Sequence, residues 1–232
     1  MIAAAEQGGA LFTVAQVVRF FREYADARRL VEAGAVGAPA TVRTRRGGSL
    51  PKSATDWYAD VAQSGGVLFD LLIHDIDWAQ WCFGPIVRVY AQGLLERLAA
   101  GTVDHLDYAL LTCRHASGVI SHLEGTWADP AGFATTFEIA GDAGLLSHDS
   151  RRTAPLRQAL RPAATAEAKV AAFNPLAADD DPYFAQIAAF AAAVRGEAPV
   201  AVPPVEARRA VAVATAARES LRTGRAIEIG EA

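Results

Sequence analysis

Hydrophobic positions along the chain change period between its first and second thirds. From residue 66 to residue 83 apolar side chains recur at helical spacing, with Leu68, Leu72, Ile76 and Ala79 on one side, the arrangement by which a helix buries one face. Downstream the period falls to two. Residues 86–92, 105–114, 119–127, 133–140 and 145–148 read as strands, and the turn signals Ala116-Ser117-Gly118 and Gly141-Asp142-Ala143-Gly144 predict antiparallel hairpins between them. Upstream, residues 1–7 read as a short helix. Residues 11–18 form an apolar run suited to a parallel strand covered on both sides. Residues 21–33 form an amphipathic helix stopped by Gly34 and Gly37, and residues 40–46 alternate as a strand before a Gly-Gly-Ser loop.

The last third is less regular. Residues 150–178 lose periodicity, mix Arg151, Arg152, Arg157 and Arg161 with alanine and proline, and read as a long solvated arm. Two helices follow. Asp181-Pro182 caps one with the stripe Tyr183, Ile187, Phe190 and Val194, and the other begins at Pro203-Pro204, carries Ala210, Val213, Ala214, Ala217 and Leu221, and ends at Gly224. Both stripes predict core contacts, and residues 226–229 read as a final short strand. Strands grouped beside helices, without regular alternation, predict an α+β fold with an open, mainly antiparallel sheet and helices on one face.

Composition narrows the function. The chain has 232 residues, 52% of them apolar, enough for a substantial core. Its net charge is −4 with scattered basic residues, which argues against a phosphate-tracking nucleic-acid surface. Apolar runs are too short for a membrane span and the start lacks a leader pattern, so a cytoplasmic protein is expected. Cys82 and Cys113 stand far apart and read as buried thiols rather than a disulfide or a zinc site.

Candidate chemistry concentrates on residues 64–78. At about 100° per residue, Asp70, His74 and Asp77 fall within roughly 60° of one another on a helix, and Trp81 extends the stripe. Buried carboxylates and imidazoles are costly unless paired or used, so the stripe is a site candidate; an exposed face with His74 paired to Asp70 fits the spacing as well. The same three residues offer an N/O metal set, but no second cluster completes a shell, and no metal is expected. His105, His115, His122 and His148 lack mutual metal spacing and read as satisfied surface or interface histidines.

Gly65-Gly66, a hydrophobic triplet, Asp70, His74 four residues on, Asp77 three further, an aromatic-rich end and Gly84 together resemble the hallmark helix of the glucose-fructose oxidoreductase / inositol dehydrogenase / MocA family. Val18-Arg19-Phe20, then a helix ending in Glu32-Ala33-Gly34-Ala35-Val36-Gly37, and the closing run Glu219-Ser220-Leu221-Arg222-Thr223-Gly224-Arg225-Ala226-Ile227 keep the order and spacing of that family. The resemblance implies the substrate domain of an oxidoreductase that moves a hydride between NAD or NADP and a sugar- or cyclitol-like alcohol. It implies His74 as the acid/base group, an imidazole titrating near neutral pH, with Asp70 orienting its ring or binding a hydroxyl. Arg19, Trp57 and Asp77 are implied substrate contacts, although Arg19 and Asp77 equally suit ion pairs and Trp57 simple packing. A homodimer through the open sheet face is implied too.

Relatives also carry a Gly-rich phosphate loop and a Glu-Lys-Pro segment with a catalytic lysine. No Gly-x-Gly-x-x-Gly occurs here, and the only lysines, Lys52 and Lys169, lie outside Glu-Lys-Pro. Arg22 stands where relatives commonly carry proline, and Gln16 where they often carry histidine or asparagine. The expectation is therefore that residues 1–20 are a remnant of the nucleotide domain and residues 21–232 the substrate and dimerisation domain. This chain alone is then expected to contain no cofactor-binding residues, to leave NAD(P) unbound and to be inactive. The alternative is a non-catalytic dimerising or sugar-binding module derived from such an enzyme.

Overall fold

The computed structural model describes residues 1–51, 57–58, 60–95, 106–129, 132–152, 156–160, 170–173 and 181–230. In chain order the elements are α1 (Ile2–Gln7), a 3-10 turn (Val17–Phe20), α2 (Arg22–Glu32), β1 (Pro39–Gly47), α3 (Val61–Ser64), a π-helical turn (Val67–Leu71) and α4 (Ile73–Phe83). Then come β2 (Ile86–Leu95), β3 (Leu106–His115), β4 (Ile120–Thr126), β5 (Ala134–Gly141), β6 (Gly144–Asp149), β7 (Leu156–Leu160) and β8 (Val170–Phe173). Helices α5 (Pro182–Val194) and α6 (Pro204–Thr223) and strand β9 (Ile227–Glu228) close the chain.

The strands form one sheet in the order β8-β7-β6-β5-β1-β4-β3-β2-β9. Only β1 and β4 run parallel; the remaining neighbours are antiparallel. Alternation sorts the side chains as expected. On β1, Val42, Thr44 and Arg46 are buried toward the helices, while Arg43 and Arg45 face the other way and pair with Glu138 and Glu124 across the ladder. Leu72, just before α4, and helices α4 and α6 with Ile76, Val213 and Ala217 pack onto Val89, Leu111 and Leu123, and α2 lays Tyr24 and Ala27 beside Trp78 over Val42, Phe137 and Ile139. Each fully buried aliphatic side chain there contributes about 2 kcal/mol. No helix among the described residues is long and apolar enough to cross a membrane.

Four expectations are corrected. Residues 11–18 are not a strand: Thr13 Oγ1 donates to the Val202 carbonyl at 2.8 Å, the segment enters no ladder among the described residues, and the chain then coils into the 3-10 turn. An apolar run specifies cover, not a hydrogen-bonding partner. Residues 150–178 are not wholly loop, since β7 and β8 extend the sheet there by antiparallel pairing; residues 153–155, 161–169 and 174–178 lie outside the described residues. The α5 cap is formed, Asp181 accepting from Tyr183 N and Phe184 N, but its apolar stripe is not core: Tyr183, Ile187 and Val194 are 60%, 69% and 63% exposed. Periodicity shows that a face is apolar, not that something covers it. Finally, His115 and His148 are buried rather than superficial. His115 bonds the Gly84 carbonyl and Ser121 Oγ, and His148 bonds Thr135 Oγ1 while stacking on Phe137. His122 is half-buried and contacts Thr112, and His105 lies outside the described residues. Cys113 is buried and Cys82 half-buried, both as free thiols.

Candidate functional site

The glycine pair at the head of the central helix has a steric cause. Gly65 and Gly66 hold φ of +75° and +66°, where a side chain is strained, and a Cβ on Gly65 would lie 2.6 Å from the Phe69 side chain. The chain then makes one π turn, with Leu72 N donating to the Val67 carbonyl at 2.8 Å. In a regular α-helix residues four apart are offset by about 40°. A wider turn winds back part of that offset, so Asp70 and His74 open onto one cavity while Asp77 is left to one side. Such π turns recur at functional sites.

That cavity, of about 510 Å³, lies between the start of α2, the ends of β1 and β4, and the central helix. Glu23, Arg46, Asp70, His74 and Trp127 line it, with Tyr58 and Phe133 at its walls. Burial pushes the Asp70 carboxyl above its ordinary range, and a hydrogen bond with Trp127 pulls the other way. His74 differs from expectation. Its pKa is lowered from 6.5 to about 4, first by burial and then by the Arg46 charge, with Asp75 opposing, so the imidazole is neutral near pH 7. Its Nδ1 is buried without a hydrogen-bond partner, and no hydrogen bond joins it to Asp70.

Sequence reasoning missed the groups behind the histidine. Arg46 Nε donates to Asp75 Oδ2 at 2.6 Å, and its Nη2 to the Tyr24 hydroxyl at 3.2 Å, all inside the core. Burial works against the Arg46 charge, but Asp75 and Tyr24 outweigh it and hold the guanidinium protonated. The available signal was parity: Arg46 shares the buried face of β1 with Val42 and Thr44, and a charge there must find a partner.

Arg19 and Asp77 are together but turned away from the cavity. Arg19 Nε and Nη2 donate to Asp77 at 2.7 Å each, and Nη1 donates to Glu206 at 2.6 Å. Both side chains of the Arg19–Asp77 pair are almost fully buried, so the pair ties the 3-10 turn to α4 and α6. Burial opposes the Arg19 charge, and the two carboxylates outweigh it. Asp77 therefore leaves the expected polar stripe, because its charge is committed to Arg19. Trp57 is 38% exposed and meets Tyr58 edge-on at 5.1 Å; Tyr58, not Trp57, reaches the cavity wall. Among the described residues no group of three or more His, Cys, Asp or Glu is placed to hold a metal.

A second cavity, of about 720 Å³, opens on the other side of His74. Its lining is mainly apolar, with Val14, Ala15, Phe69, Ile73 and Ala207. Gln16 also lines it, and the buried Oε1 of that residue has no hydrogen-bond partner. His74 is the one residue common to both cavities.

The chain belongs to the Gfo/Idh/MocA family: the profile of the GFO/IDH/MocA C-terminal domain matches residues 24–147. Myo-inositol 2-dehydrogenase of Thermotoga maritima is 25% identical over 215 residues, 92% of this chain and 63% of that protein. The scyllo-inositol 2-dehydrogenase (NAD(+)) of Bacillus subtilis is 29% identical over 145 residues, 61% of this chain and 41% of that one. A levoglucosan dehydrogenase solved with NADH superposes with a TM-score of 0.87 at 19% identity, over 100% of this chain and 69% of its own, a likeness of fold. The chain thus spans less than two thirds of the length of these curated relatives.

Proposed function

We propose that this chain is the substrate half of an NAD(P)-dependent oxidoreductase acting on a secondary alcohol of a sugar- or cyclitol-like ring. The observation that carries this reading is the position of His74 at the border between a polar cavity and an apolar one. A polyol fits the first, where Asp70 accepts a hydroxyl hydrogen bond and Trp127 and Phe133 offer apolar ring faces. His74, neutral near pH 7, accepts the hydrogen of the reacting hydroxyl. With its low pKa it holds that proton only briefly, so a second group has to take it onward. Arg19 and Asp77 act as a positioning pair beneath the site, and Trp57 acts through Tyr58.

The residues of the second cavity fit the reactive ring of a nicotinamide, with flat apolar contacts and the unpartnered Gln16 Oε1 as acceptor for a carboxamide. That ring, when bound, takes up or returns the hydride. The sequence carries no glycine-rich turn for the pyrophosphate, so residues 1–20 are read as the edge of a nucleotide-binding domain rather than the whole of one. The open face of the sheet is read as a dimer contact.

Fusing the chain behind a nucleotide-binding domain of its family tests the proposal. A fusion that binds NADH should reduce NAD⁺ when given myo-inositol or another ring polyol, and His74→Ala should lower turnover about a hundredfold or more. A fusion that binds NADH yet stays silent with every ring polyol, or whose turnover survives His74→Ala, contradicts it.

A further inference from the structure

The polar cavity has an uneven charge balance. Four acidic or basic side chains besides the tyrosines line it: Glu23, Arg46, Asp70 and His74. The Arg46 charge is matched by buried Asp75 at 2.6 Å, and His74 is neutral near pH 7. Two carboxylates remain. Asp70 has the Trp127 indole as hydrogen-bond partner. Glu23 has no ion pair and no hydrogen bond to another side chain among the described residues, although it is half-buried against the cavity. Burial raises its pKa, and a hydrogen bond from its own backbone N–H and the Arg46 charge only partly offset that. Its place in the first turn of α2 favours the charged form. A half-buried carboxylate without an ion pair of its own is costly in isolation, and a ligand cation would complete it.

We propose that Glu23 is a specificity residue that makes the cavity prefer ring polyols carrying an amino group over neutral ones, and neutral ones over those carrying a carboxylate. The inference rests on the polyol reading of this cavity. It goes further in assigning a charge class to the ligand and a residue to the choice. An ammonium on the ring meets Glu23 in a partly desolvated site, where a charge pair is worth more than in water. A ring carboxylate meets two like charges, and Arg46, the cation lining the cavity among the described residues, is already paired with Asp75.

Three ligands of one ring size isolate the effect: D-glucosamine, D-glucose and D-glucuronate, titrated into the full chain at low ionic strength and about pH 6.5, where the sugar amine is protonated. Binding is read from protein chemical shifts. Glucosamine should bind about tenfold tighter than glucose, and glucuronate about tenfold weaker. Glu23→Gln should erase the advantage of glucosamine over glucose, while Glu23→Asp, which keeps the charge, should retain the order. Melting temperatures no lower than wild type for both variants exclude a folding artefact. Glucosamine binding no tighter than glucose, or an advantage that survives Glu23→Gln, overturns the role of Glu23 while leaving the polyol site standing. Saturable binding by none of the three overturns both.

Discussion

An imidazole at the border of two cavities, with one nitrogen buried and unbonded, is unstable by itself and suited to a ligand. The burial that makes His74 a candidate also sets a measurable cost. Its folded pKa of about 4 lies below the ordinary value of 6.5, so between these limits the unfolded chain takes up a proton that the folded chain refuses. Stability is unaffected above pH 6.5 and falls as pH drops toward 4, by about 3 kcal/mol for this group. Denaturant unfolding of wild type and His74→Asn should therefore diverge in favour of the variant by about that amount between neutral pH and pH 4; parallel profiles would show that His74 is not desolvated. The sequence revealed His74 and Asp70 because three ionisable residues interrupt a buried helix pattern. It named Arg19 and Asp77 by type and left open whether they meet substrate or one another, since that choice depends on packing between the 3-10 turn and α4. Arg46 and Asp75 stayed hidden because each is an ordinary surface residue by type, and only the join of β1 to α4 brings them to 2.6 Å.

Among the elements, alternating strands were legible and irregular ones were not. Period two identified β2 to β6 because each hides one face under helices and shows the other. The π turn escaped notice because its sequence, Val67 to Leu71, reads as ordinary helix. The turn ends against β4, where Gly125 lets Leu72 approach to where a Cβ would lie 2.6 Å from its side chain. The helix-free face of the sheet is more mixed than alternation suggested. Tyr90, Leu94 and Ile120 are 36%, 45% and 40% exposed, beside the Arg43–Glu138 and Arg45–Glu124 pairs. A face with apolar residues and charges of both signs suits a two-fold contact with a copy of itself. Sedimentation equilibrium should find a dimer at tens of micromolar, and Ile120→Asp should shift it to monomer without lowering the melting temperature of the fold. A wild-type monomer at that concentration would remove the sheet face as an interface.

At the scale of the whole molecule, the order of motifs carried more than any one of them. The glycine pair, the Asp-His spacing and the closing helix each recur in unrelated proteins, yet their sequence along the chain marked the family that the domain match then showed. What pattern could not supply was cavity shape, because the two spaces on either side of His74 are built from segments far apart in sequence, such as Glu23, Arg46 and Trp127 on one side and Val14 and Ala207 on the other. A ring polyol is proposed to sit against His74 and Asp70. The most direct measurement is a titration of histidine-labelled protein with myo-inositol, following the imidazole signals at near-neutral pH. Saturable shifts of the His74 ring that Asp70→Asn weakens are expected, with His115 and His148, each held by its own partners, unmoved. A His74 signal that stays still at tens of millimolar polyol, or binding that moves His122 on the open sheet face instead, would contradict it.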